Sequence, residues 1–306
     1  RDAKVPPEGA QLLSTLALAR HPVIWFGDGG AAKSYLALAA ALSIHAGLPL
    51  LGMAPAAQRK VAYLDWEFDA WEHKTRMARL LGGELPDDAL PDILYVRCTK
   101  PLARESDRIG HIFADHDIGY AVVDSISWAC EGPPEEASSA TGFFESLRSL
   151  GVGSLCIAHV NRSGDTERPF GSAFWHNGAR ATWYVKKQQE HGKDALEVGF
   201  FNRKANSSRL EEPLGFSLHF DSDQTRVARI DVRDVPELAG NAPVKDRMIH
   251  LLRLGAKTYQ EIADELGIPE ATVRQTVNRW EGRIFYRLTA GKAARIGLLE
   301  TRPEDV

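Results

Sequence analysis

Hydrophobic and polar positions follow two alternating patterns through the first two-thirds of the chain. Short apolar runs at Val23–Phe26, Lys60–Asp65, Ile93–Arg97, Tyr120–Asp124 and Ser154–His159 read as strands. Between them, Lys33–Ala46, Asp69–Leu81, Asp107–Asp115 and Gly142–Leu150 read as helices. Asp69, with Glu72 three residues later, predicts an N-terminal capping box. Strands that are apolar at nearly every position, separated by helices, predict a parallel sheet covered on both faces. From Ala181 the helical pattern stops. Ala181–Val185, Leu196–Phe201, Phe216–Phe220 and Arg226–Val232 read as strands joined by turns. The expected fold class is therefore α/β, a parallel sheet with an antiparallel extension.

The pattern changes again after Val232. Asp234–Val244 holds Pro236, Gly240, Asn241 and Pro243 and reads as a linker. Beyond it, Lys245–Leu254 is an amphipathic helix. Thr258 to Glu261 is a capping box opening a second helix that stops at Gly267, and Pro269 suits the first turn of a third helix running to Trp280. Arg283–Leu288 is strand-like. The predicted division is a core over residues 1–235, a linker over 236–243 and a small domain over 244–306.

Composition narrows the classes. The 306 residues are 44% hydrophobic and 25% charged, which excludes collagen-like and wholly disordered chains. A formal net charge of −4 argues against a polycation that coats nucleic acid. Cys98, Cys130 and Cys156 are scattered, as suits reduced thiols and a cytoplasmic setting, and the histidines show no zinc-ligand spacing. The chain begins at Arg1 without a charged-then-apolar leader, so a fragment or processed form is expected. Tyr35–Ala57 is apolar, but Pro49 and Pro55 interrupt it. A buried helix ending near Gly47 is expected, with no membrane partner.

Candidate chemistry is densest where the first strand meets the first helix. Gly27, Asp28, Gly29, Gly30, Ala31, Ala32, Lys33, Ser34 and Tyr35 form a glycine-rich turn between an apolar strand and a helix. In that setting backbone N–H groups cradle phosphates, a lysine reaches the β- and γ-phosphates, and a serine hydroxyl binds Mg²⁺. ATP and Mg²⁺ are the expected ligands. Ala32 stands where this pattern ordinarily has its last glycine. A helical φ there would accommodate its methyl group. Asp124, at the carboxyl end of a buried strand, is a candidate second metal ligand, with Ser125 beside it. The other reading of Asp124 is a helix N-cap. Glu67 leaves the second strand and is a candidate to activate water, with Asp65 as the competitor on the same face. His159, at the end of a strand, is a candidate γ-phosphate sensor, or a bystander.

Lys33-Ser34, Glu67, Asp124-Ser125 and His159 before Asn161-Arg162, in that order, resemble the RecA-like hexameric P-loop ATPases, above all the RepA-type and DnaB-type replicative helicases and their phage relatives. The string Arg168 to Arg180 also resembles the Gly-Ser segment of the RepA-like members. The resemblance covers about residues 10–232. It implies ATP bound between neighbouring subunits of a homo-oligomer, a hexamer in this group, with Glu67 activating water and His159 coupling the γ-phosphate to a pore loop. It also implies a basic finger acting on the adjacent subunit. Lys204 matches the family's lysine and Arg203 stands beside it. Asn206 occupies the place where DnaB-like members carry an arginine, which leaves Arg209 and Arg180 as alternatives. The bland reading is a solvent-facing basic hairpin.

Two regions speak to a nucleic-acid partner. Asn161–Arg180 joins Arg162, Arg168 and Arg180 to Phe170, Phe174 and Trp175, a mixture suited to single-stranded DNA in a pore; Phe174 and Trp175 equally suit packing of a helix on the sheet. The C-terminal module resembles a winged-helix or helix-turn-helix domain. Ile262, Ala263, Leu266, Ile268, Val273 and Val277 make its seam, and Arg274, Gln275, Asn278 and Arg279 point outward for duplex DNA. From Arg274 to Arg295 six basic residues face one acid, Glu281, so the mild overall acidity conceals a basic stripe. Protein contacts or ring packing are the other use of such a module. The expected function is an ATP-hydrolysing, ring-forming DNA motor of the phage or plasmid replicative-helicase type. The alternative is a RecA-like recombinase or regulatory ATPase that binds DNA without unwinding it.

Overall fold

The computed structural model describes residues 11–83, 90–160, 168–189, 192–206, 208–288 and 294–299. It divides into two compact units, Arg1–Val232 and Arg233–Val306. The first unit runs β1 (Pro22–Gly27), α1 (Lys33–Ala46), β2 (Val61–Asp65), α2 (Ala70–Leu80), β3 (Leu94–Arg97), α3 (Leu102–His116), β4 (Tyr120–Asp124), α4 (Ile126–Ala129), α5 (Ala137–Ser149), β5 (Gly153–Ala158), α6 (Ala173–Gly178), β6 (Ala181–Gln188), β7 (Ala195–Ala205), β8 (Leu214–Phe220) and β9 (Thr225–Ile230). Its nine strands form one sheet in the order β3-β2-β4-β5-β1-β6-β7-β8-β9. Pairing is parallel from β3 to β6 and antiparallel from β6 to β9. This is the parallel sheet with an antiparallel extension that the pattern predicts.

Every residue of β1, β2, β4 and β5 is buried, so both faces of the central sheet are covered. Val23, Trp25, Tyr63, Val122, Leu155 and Ile157 share one cluster with the apolar residues of α1. That helix is buried from Leu36 to Ile44 and ends at Gly47, whose φ of +76° makes the left-handed cap. Among the described residues no helix is long and apolar enough to cross a membrane. All three cysteines are free and buried.

Several boundaries differ from expectation, each for a local reason. α3 begins at Leu102, five residues before Asp107, because Pro101 opens it and Leu102 is fully buried. α5 begins at Ala137, before Gly142. Its first turns are Ala and Ser, too small to carry an apolar stripe in sequence, yet Ser139 and Ala140 are buried. The capping box at Asp69 is half formed: Asp69 accepts from the Glu72 amide, while the Glu72 carboxylate pairs with Arg76. β5 ends at Ala158, leaving His159 just beyond it.

The second unit holds α7 (Pro236–Ala239), α8 (Val244–Leu252), β10 (Lys257–Thr258), α9 (Tyr259–Leu266), α10 (Glu270–Trp280), β11 (Phe285–Arg287) and β12 (Arg295–Leu298). The short helix α7 lies inside the stretch read as a linker. Thr258 and Glu261 form the full capping box, and Gly267 ends α9 in the left-handed region at φ +61°. Pro269 sits at the N-cap of α10, one position earlier than the first turn. Val273 and Val277 pack with Ile262, Ala263, Met248 and Phe285 in a core of their own. β12, which the sequence pattern does not predict, pairs with both β10 and β11 in a three-stranded antiparallel sheet. The unit is a helix-turn-helix with a small sheet.

Candidate nucleotide site

The carboxyl ends of β1, β2, β4 and β5 gather the candidate residues around one cavity of about 280 Å³, lined by residues 29–35 with Glu67, Phe68, Arg76, Asp124, Ile157 and His159. The N-terminus of α1 points its free N–H groups at this space, which suits an anion. Gly27 and Asp28 are not on its wall. Gly27 is needed by the sheet, since a Cβ there would lie 2.1 Å from the Val185 carbonyl oxygen of β6. Gly30 takes φ +69°. Ala32 takes φ +53°, the left-handed region and not a helical φ, which corrects the expectation for that position. A side chain there is strained by roughly 1–2 kcal/mol.

Lys33 is buried, and its Nζ donates to the carbonyls of Gly27 (2.9 Å) and Asp28 (2.7 Å), closing the loop on itself. Burial lowers its pKa to about 8, against the pull of Asp124, Glu67 and Asp28. Asp124 is buried, and burial raises its pKa to about 6 although the Ser34 and Tyr63 hydroxyls bond to it. Tyr63 donates to Asp124 Oδ2 at 2.8 Å, while the buried Oδ1 has no partner among the described residues. An orphaned buried carboxylate oxygen is costly. Beside the Ser34 hydroxyl it offers the hard oxygen ligands that Mg²⁺ prefers. The residues present therefore fit this cation.

Glu67 and Asp65 separate clearly. Asp65 is buried and fully engaged. Its Oδ1 accepts from the amides of Glu67 (2.8 Å) and Phe68 (2.9 Å), and its Oδ2 accepts from Tyr95 at 3.2 Å. It shapes the turn that carries Glu67 outward. Glu67 Oε1 accepts from the Ser125 hydroxyl at 2.5 Å and lies 3.8 Å from His159 Nε2. His159 first, and then Ser125, hold its carboxyl below the ordinary range, with partial burial working the other way.

Several residues at or beside the site carry no signature in the sequence. The Arg76 guanidinium stacks 4.5 Å from the Phe68 ring and 5.6 Å from Tyr35. A Cβ on Gly30 would lie 3.0 Å from Lys187 Nζ, so β6 brings a second lysine against the phosphate loop, close enough to depress Lys33. Lys187 has no motif around it; only the β1–β6 pairing reveals it. Tyr63 was legible in principle, two residues before Asp65 on the same face of β2.

The basic-finger candidates lie elsewhere. Lys204 Nζ donates to the carbonyls of His176 (2.7 Å), Asn177 (2.9 Å) and Ala179 (2.7 Å), so all three of its protons close the C-terminus of α6. The Arg203 guanidinium lies over Tyr184 and Phe201 at 5.6 and 5.7 Å. Arg180 and Arg209 are exposed. Trp175 is buried, donates to Pro134 and packs on Phe143 and Phe144, whereas Phe174 is 48% exposed. Arg162 lies outside the described residues; Arg168 is exposed.

On α10, Gln275 and Arg279 are exposed. Arg274 pairs with Glu270 and stacks 4.2 Å over Tyr259, and Asn278 accepts from Arg287, so these two face solvent with partners already in place.

No curated protein matches the chain. Among solved structures it resembles a KaiC-like protein from the hyperthermophilic archaeon Pyrococcus horikoshii OT3, with 14% identity and a TM-score of 0.49 over 74% of this chain and 99% of that one. Residues 243–284 match the family described as a homeodomain-like domain. The family described as an AAA domain matches residues 1–165, more than half of the chain, and the protein belongs to this family of P-loop ATPases.

Proposed function

We propose that the protein hydrolyses ATP in a ring-forming assembly and uses the energy to move on DNA, as plasmid-type and phage-type replicative helicases do. The observation that carries this reading is the convergence of Lys33, Ser34, Asp124, Glu67 and His159 on one cavity at the carboxyl edge of the sheet. The helix-turn-helix unit supports the DNA part of it, through exposed Gln275 and Arg279.

In this reading Lys33 exchanges its two carbonyl partners for phosphate oxygens when ATP enters. Ser34 and Asp124 Oδ1 would hold Mg²⁺, which would neutralise charge on the phosphates. Glu67 orients the attacking water. His159, in contact with Glu67, carries the state of the γ-phosphate toward the segment after β5. For Lys204 to act on a neighbouring subunit, it must first leave the three carbonyls of α6.

That engagement of Lys204 favours a second reading, an ATPase that binds DNA without separating strands. ATP turnover measured with and without single-stranded DNA, together with a forked-duplex unwinding assay and mass photometry, separates the two. A hexamer that unwinds the fork supports the motor. DNA-stimulated turnover with no strand separation supports the second reading. Absence of turnover under both conditions rejects both.

A further inference from the structure

The opposite end of the same sheet holds a larger cleft, about 610 Å³, at the amino ends of β1, β4 and β5. Among the described residues its charged lining is Arg20, Arg59 and Arg148, with His21 beside them and no carboxylate. The three arginines come from separate segments, before β1, before β2 and from the last turn of α5. All three are exposed. Among the described residues none of them pairs with an acid. Arg59 donates to the carbonyl of its neighbour Gln58, and Arg148 lies 5.7 Å from the Phe144 ring.

The floor of the cleft is built to admit these side chains. Gly119 leaves room for the Arg59 stem, since a Cβ there would lie 2.9 Å from Arg59 Cδ. Ser154 is fully buried at the start of β5. Arg148 answers in part the carbonyl end of α5. Arg20 and Arg59 lie outside any helix and have no such partner. Partial burial first, then Arg180 and Arg20, lower the His21 pKa, a separate mark of the positive potential here.

We propose that this cleft binds a phosphate-bearing anion through Arg20, Arg59 and Arg148. Guanidinium forks match phosphate oxygens in pairs. Three of them around one cleft, with no acid, suit a multiply charged group better than a single carboxylate. The volume is in the range of small-ligand sites. A free polyphosphate or nucleotide and the backbone of a nucleic acid supply the same chemistry.

The test uses the full chain carrying Lys33→Ala, so that the phosphate loop does not compete. Inorganic pyrophosphate and, separately, a single-stranded oligonucleotide are titrated into it by calorimetry. The same titrations follow with Arg59→Gln plus Arg148→Gln added, and with Arg20→Gln alone, circular dichroism confirming the fold. The expected result is pyrophosphate binding that weakens by at least about tenfold in the arginine variants. If the oligonucleotide alone binds, and weakens in the same variants, the site stands and the source is a nucleic-acid backbone. Affinities unchanged by the arginine substitutions, or no binding of either probe to the Lys33→Ala protein, overturn the proposal.

Discussion

The two ends of the nine-stranded sheet are organised on opposite principles. At the carboxyl end cations and carboxylates are interleaved. Lys33 lies within the field of Asp124 and Glu67, Asp124 accepts from Tyr63, and Glu67 sits between Ser125 and His159. At the amino end three arginines and a histidine share a cleft without an acid. Interleaving holds each charged group at a set place and tunes its proton affinity, as chemistry on a bound molecule requires. An unbalanced cluster pushes every neighbouring cation the same way, as Arg20 does His21, and attracts an anion.

The largest effect that tests this contrast is at Glu67. Glu67→Gln keeps the shape and the Ser125 contact but loses the charge. Turnover of ATP is expected to fall by about 10²–10⁴-fold with nucleotide binding retained. Asp65→Asn gives a different outcome. It weakens the turn built by the Glu67 and Phe68 amides, and is expected to lower the melting temperature as well as activity. If Asp65→Asn loses turnover at unchanged stability while Glu67→Gln does not, the two assignments must be exchanged. Lys33→Ala comes next. Removing the buried ammonium is expected to weaken ATP binding by about 10²-fold or more, read by equilibrium titration with a fluorescent nucleotide. Unchanged affinity would mean that the interleaved end is not a phosphate site.

The contrast also explains what could be read from sequence. The central strands are legible because burial on both faces makes them apolar at every position, and the strand-loop-helix around Lys33 carries its own chemistry. Asp124, Glu67 and His159 are legible because a strand end is a place in sequence as well as in space. Lys187 and Arg76 are not. Lys187 comes against the phosphate loop through sheet pairing, Arg76 lines the cavity from a helix face, and neither leaves a local signature. The amino-end cleft is invisible for the same reason: Arg20, Arg59 and Arg148 are far apart in the chain and ordinary in their own surroundings. Adjacency to a helix suggests a helical φ at Ala32, but its φ of +53° is left-handed. An N-cap residue lies outside the helix and takes the conformation that its loop demands.

Lys204 offers a smaller and different break in the comparison. It is a cation held by carbonyls, with no acid paired to it among the described residues, and it ties β7 to the end of α6. Lys204→Met keeps the apolar stem and removes the three donors. Leaving the α6 carbonyls partly unsatisfied is expected to cost about 1–3 kcal/mol in urea unfolding. A loss of ATP turnover with no loss of stability would instead mark it as a group that acts on another subunit.

The smallest expected effect is at Ala32, and it turns on the balance of three terms. The left-handed backbone disfavours any Cβ by roughly 1–2 kcal/mol, and glycine removes that strain. Glycine also frees the unfolded chain, which costs about 0.5–1 kcal/mol in the other direction. Loss of the methyl group, which packs half-buried against the main core, subtracts at most a further ~0.8 kcal/mol. The sum for Ala32→Gly lies near zero, within about 1 kcal/mol on either side, in urea unfolding. Nucleotide binding is the sharper readout. The same substitution widens the range of backbone geometries open to the loop, so ATP affinity is expected to change by no more than a few fold while Lys33→Ala abolishes most of it. A gain in stability well above 1 kcal/mol would mean that the strain at Ala32 is real and uncompensated. A large loss would mean that the methyl, and not the missing glycine, is what holds the phosphate loop in shape.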